Sequence, residues 1–169
     1  MDRETLLKEY CRGSELLRAK MAEIDDAMLN YRPDIEDAWT IKEHVIHVVD
    51  SEINGFLRLK SIIAQPGTHC YVMEEETWTK NIRRKNEDVD KYLAVYALIK
   101  EMVYDLLVDE DAGNWNRDYF IRDYQGGRSM VTIAKCLQIY IDHLRAHLEY
   151  IDRNMAAYHR ARPGSQTTA

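Results

Sequence analysis

Two histidines, His143 and His147, stand four residues apart in a stretch with helical periodicity. Their imidazoles therefore lie on one helix face, a turn apart, and that spacing lets two rings grip one metal ion. The chain has six histidines, and His44, His47, His69 and His159 are the candidates for a third ligand. Leu144 rather than Glu follows His143, so the pair is not the HExxH motif of a metalloprotease. A ferritin-like di-iron site is disfavoured as well, because no Glu in the chain has a His three residues further on.

Angular placement narrows the choice without closing it. At about 100° per residue, with Val48 as the centre of its apolar stripe, His47 falls at about −100°. With Leu144 as the centre of the last helix, His143 falls at about −100° and His147 at about −60°. All three share a flank, and in a bundle such flanks can face across a cleft. Ser51, Asn54 and Arg58 share the flank on one helix, and Cys136, Tyr150 and Asn154 share it on the other. The competing reading is a polar shoulder, solvated and inert. His44 lies at about −40°, nearer the stripe centre, where a hydrogen-bonded core histidine is the usual occupant. Periodicity alone does not choose between His44 and His47. His69 sits in a loop beside Cys70, where a structural or solvated role fits best. His159, near a helix C-terminus, suits the helix dipole.

Four helical segments must position these residues, near 4–29, 41–64, 89–108 and 133–158. The second has a well-marked start, since Thr40 with Glu43 three residues later forms a capping box. Thr132 is the expected N-cap of the fourth. The connections at 65–88 and 109–131 are long and carry aromatic residues, Trp78 in one and Trp115, Tyr119 and Phe120 in the other. They leave room for short strands only, and Gly126-Gly127 marks a turn. The expected fold class is all-α: an up-and-down-like four-helix bundle, with long loops between helices two and three and between three and four. Residues 1–159 read as one domain and 160–169 as a polar, disordered tail opened by Pro163.

The stretch Trp39 to Glu52, WTIKEHVIHVVDSE, resembles the second-helix signature of the DinB/YfiT-like family, and His143 to His147, HLRAH, resembles its final helix. The similarity extends through the acidic stretch at Glu74 to Trp78, the third helix and Trp115, and spans most of residues 30–155. The resemblance implies a four-helix bundle that binds a divalent metal through His47, His143 and His147, with His44 outside the set. It also implies a cofactor, Zn or Ni first among transition metals, and company with thiol-dependent transferases and isomerases or with metal-dependent hydrolases.

Three imidazoles leave at least one coordination position open, as catalytic sites do. A metal held by neutral ligands keeps its full charge and can activate a bound water or deprotonate a bound low-molecular-weight thiol. The second chemistry is expected here, because no general base for water attack is evident in the sequence. Glu52 lies at about +40°, on the apolar face, and a carboxylate there needs a partner. It either holds an imidazole N–H or pairs with a Lys or Arg of another helix. Asp50, at about 200°, reads as solvated. Asn54 is a candidate substrate contact, and Arg58 or Tyr150 could hold a substrate carboxylate.

Charge limits the partners. Lys and Arg number 23 against 29 Asp and Glu, a net charge of −6, which argues against nucleic acid or an anionic membrane as the main partner. No run reaches the roughly 20 apolar residues of a membrane span. The N-terminus lacks the basic start and apolar core of a signal peptide. Three scattered cysteines, Cys11, Cys70 and Cys136, suggest reduced thiols rather than a disulfide framework. The expectation is a cytoplasmic protein with a small-molecule substrate, acting as a homodimer or as a non-catalytic binding module if turnover has been lost.

Overall fold

The computed structural model describes residues 2–67, 69, 73–82, 86–122 and 127–162. Its long elements are α1 (Arg3–Met21), α3 (Ile41–Ala64), α5 (Val89–Leu107) and α7 (Ile133–Ala161), with shorter helices α2 (Asp26–Leu29), α4 (Glu75–Asn81) and α6 (Ala112–Trp115) between them. Strands β1 (Tyr119–Arg122) and β2 (Arg128–Val131) form one antiparallel hairpin, with Tyr119 opposite Val131. The four-helix bundle expected from the sequence is the observed architecture. Among the described residues no helix is long and apolar enough to cross a membrane.

Local sequence explains most element ends. Thr40 accepts from the Glu43 N–H while the Glu43 carboxylate returns to the Thr40 N–H, so α3 starts on a complete capping box. Thr132 caps α7 by accepting from the Lys135 N–H. The first expected helix, 4–29, is in fact two. The chain leaves α1 after Met21, and Asp25 re-caps it by accepting from the Met28 N–H. The apolar stripe hides this break, because Leu17 and Met28 enter the same core from either side of it. Helix α7 also runs further than 133–158, through Ala161, so the expected tail begins inside it; residues 163–169 lie outside the described set. Cys70 and Gly126 lie outside it too.

The order of helices around the bundle departs from a simple up-and-down ring. Helices α1 and α3 each pack against both α5 and α7, so the order around the ring is α1, α5, α3, α7: α1 lies diagonal to α3 and α5 diagonal to α7, while the consecutive helices α3 and α5 are side by side. The long connections, with α2 in the first and α6 and the hairpin in the last, give the chain the reach to cross the bundle end. This order makes α3 and α7 neighbours, and those helices carry the histidines.

The interior has two apolar clusters. One gathers Leu6, Leu7, Leu59, Ile62, Val103, Leu107 and Leu137; the other gathers Leu17, Ile41, Val45, Val48, Leu93, Leu144 and Ile151. Glu52 is buried with Lys100 of α5, 3.0 Å away, and both are at most 3% exposed. The Tyr10 hydroxyl donates to the other Glu52 oxygen, and the Lys100 ammonium lies 3.4 Å from the Tyr10 ring centre. Of the two partners considered for Glu52, the structure supplies the cation of another helix. Burial lowers the pKa of Lys100, and the adjacent Glu52 carboxylate opposes that shift.

Candidate metal centre

Helix α3 leaves its capping box and brings His44 and His47 into the bundle one and two turns later. Trp39, just before the box, is anchored by the Asn154 amide, which donates to the Trp39 carbonyl at 2.7 Å. Its indole lies 5.2 Å from the His47 ring, 5.3 Å from His44 and 6.3 Å from His147, and so walls the histidines on one side. From α7, His143 and His147 face them.

One nitrogen from each of His47, His143 and His147 lies within 4.8 Å of the other two. The Nε2 atoms of His47 and His143 are 3.0 Å apart. Two donors on one ion, each about 2.1 Å from it, are separated by about 3.0 to 3.4 Å. His44 is not a member of this set, but it is not idle: its Nδ1 is 3.1 Å from Nδ1 of His147. With Nδ1 engaged there, Nε2 is the nitrogen that His147 has left for a metal. His44 is in turn stacked on the ring of Tyr150, 5.4 Å between centres and 6° between planes.

The electrostatics suit ligands. His47, His147 and His44 are 2%, 7% and 8% exposed. Burial lowers the pKa of His147 to about 2, aided by the neighbouring His143, His47 and His44. Burial likewise lowers His44 to about 4, and lowers His143 with help from the Lys100 charge. Imidazoles held neutral keep their lone pairs available to a cation.

The other expected residues divide. Asn54 and Arg58 line a cavity of about 260 Å³ together with Ser51, His47 and His143. Tyr150 lines a larger one of about 580 Å³ with Trp39, His44 and His147. Glu52 is in neither, being spent on Lys100 and Tyr10. Cys136 is buried in an apolar cluster, and His69 and His159 are exposed. Glu75 went unseen in the sequence. Helix α4 sets its Oε2 3.3 Å from Nε2 of His47, and it borders both cavities, as His143 does. The only signal was the acidic run at 74–76, in a stretch that reads as loop.

The sequence profile of the DinB superfamily matches residues 11–151. The chain belongs to that superfamily. Among its relatives is YfiT of Bacillus subtilis, provisionally named as a metal-dependent hydrolase, 22% identical over 156 residues and matched over 88% of this chain and 86% of that one. A protein of Bacillus licheniformis with the same provisional naming is 24% identical over 161 residues, 95% of this chain and 86% of that one. A third, from Halalkalibacterium halodurans, is 25% identical over 158 residues, 90% of this chain and 85% of its own. The solved structure of YfiT, described as a four-helix bundle of unusual topology, superposes with a TM-score of 0.80 at 18% identity, over 94% of this chain and 90% of that one. The mycothiol-dependent maleylpyruvate isomerase shares the fold at a TM-score of 0.63 and 14% identity, over 89% of this chain but 61% of the isomerase.

Proposed function

We propose that this DinB-superfamily chain is a metal-dependent transferase, in which His47, His143 and His147 hold a divalent transition metal that activates a low-molecular-weight thiol for transfer to a small electrophile. The observation that carries this reading is the pair of cavities, of about 260 and 580 Å³, that both border His143 and Glu75. Two cavities beside one centre can take two different molecules, which a transfer between molecules uses. The donor set fits the metal: three neutral, converging imidazoles suit Zn or Ni. When bound, such an ion supplies the positive charge that favours a thiolate. The remaining work falls to the chain. His44 holds the ring of His147, Trp39 and Tyr150 wall the larger cavity, and Arg58 borders the smaller. A fold neighbour that is thiol-dependent by name supports the reading by analogy of fold alone.

Glu75 favours a second reading. The sequence offered no carboxylate to accept a proton from an attacking water, and Glu75 stands 3.3 Å from His47. A hydrolase would use that group, and the provisional names of the relatives point the same way. One experiment separates the two. Metal-replete protein is given a panel of electrophiles, esters and amides with and without added thiol. The expected result is turnover that needs thiol and falls on chelation. Ester or amide hydrolysis without thiol would move the assignment to a hydrolase, and no turnover with either class would leave a binding module.

A further inference from the structure

We propose that the smaller cavity is a subsite for a carboxylate, with Arg58 as the residue that recognises it. Four residues of α3 border this cavity in helical register: His47, Ser51, Asn54 and Arg58. His47 and Arg58 are eleven residues apart, about 16 Å of helix rise. Helical side chains lean toward the N-terminus, so the long Arg58 side chain bends back toward His47, as their sharing of one cavity requires. The cavity is therefore a slot with the histidines at one end and a guanidinium at the other.

Arg58 lacks what a guanidinium in such a place needs. Its Nε is fully shielded from solvent and has no hydrogen-bond partner, and Arg58 makes no ion pair among the described residues. Arg58 as a whole is half-buried, and its Nη donors, which bond to no described residue, are the ones that an anion in the slot can meet. The carboxylate that borders the slot, Glu75, is turned to the opposite end, against His47. The slot thus has a cationic end with no anion of its own.

The form of the anion follows. Among the described residues Arg58 is the single Lys or Arg that borders the cavity, and one guanidinium balances one negative charge. The planar fork of a guanidinium matches a carboxylate, whereas a phosphate dianion calls for more positive charge. The slot is also rigidly walled. The Tyr140 ring lies against Gly55, so closely that a Cβ there would come within 2.4 Å of it. The ligand class is a compact carboxylic acid that reaches the histidines while its carboxylate sits on Arg58. This rests on the transferase reading only for what happens at the histidine end.

The test is calorimetric titration of the zinc-loaded full chain with propionate, butyrate and hexanoate, and with the matching primary amides. None carries a thiol, so the result is independent of whether thiol transfer occurs. At least one acid should bind more tightly than its amide, and Arg58→Gln should weaken that acid by about tenfold or more while leaving the amide unchanged. Arg58→Lys should keep part of the preference, and melting curves of both variants report that the fold is intact. Acids that bind no better than amides, acids that bind equally well to Arg58→Gln, or no binding at all would overturn the proposal. Direct ligation of the metal by the acid would survive Arg58→Gln and so counts against it.

Discussion

His44 and His147 are joined through their Nδ1 atoms, 3.1 Å apart, so the side chain that looks like a rival ligand is the brace of a real candidate. A neutral His147 that offers Nε2 to a metal carries its proton on Nδ1 and donates it to Nδ1 of His44. His44 must then be the Nε2–H tautomer. Partners of this kind orient a ligating imidazole, and their loss typically costs 10- to 100-fold in metal affinity. We expect His44→Ala to weaken metal binding by about that factor, while saturating metal still fills one site per chain. Chelator competition measures it. Loss of all binding in His44→Ala with none in His47→Ala would reverse the ligand assignment.

Removing a ligand should act differently from removing a brace. His143→Ala leaves two imidazoles, and two ligands hold a labile ion. Metal content after desalting should fall close to zero, and thiol-dependent turnover should disappear with it. If His143→Ala retained a full complement of metal through desalting, His143 would not be a ligand.

Acid should destabilise the metal-free protein. His44 is held at about 4 against an ordinary value of 6.5. Between those values the unfolded chain takes up a proton that the folded chain refuses. The contribution is complete above pH 6.5 and is lost as pH falls toward 4, an effect of about 3 kcal/mol. His143 and His147, also lowered, act with the same sign. Urea unfolding in the presence of chelator should give a distinctly smaller free energy at pH 4.5 than at pH 7. A flat profile would show that these rings are protonated in the fold or solvated.

The Glu52–Lys100 pair tests whether Glu52 belongs to the framework or to the metal. Lys100→Met strands a carboxylate that is 2% exposed, and we expect a loss of about 3–5 kcal/mol in chemical denaturation. Adding Glu52→Gln should recover much of it, since two neutral groups bury more easily than one charge. Metal affinity of the double variant should match that of the parent. A large drop would place Glu52 among the groups that orient a ligand.

Much of this arrangement was legible because it is local. Thr40 and Glu43 announce the start of α3, Thr132 that of α7, and a fixed angle per residue puts His47, His143 and His147 on matching flanks. What was illegible depends on which helix meets which. Glu52 shows its need for a partner in one helix, but Lys100 lies 48 residues away on another. His44 reads as a core histidine until α7 brings His147 against it. Glu75 belongs to a helix of seven residues, too short for periodicity to reveal. The break between α1 and α2 is masked because the buried face continues across it.

Positions 47 and 143 are 96 residues apart, so any ion shared between them ties the second long helix to the last. In the unfolded chain those side chains would roam independently. An ion gripped by both therefore acts as a reversible cross-link closing a loop of that length. For a permanent link, the chain-entropy estimate for such a loop is about 4.7 kcal/mol. Chelation would open the ring without breaking a covalent bond, and the melting temperature should drop and become dependent on metal concentration. The centre would then be a clasp for the bundle as well as a place for chemistry.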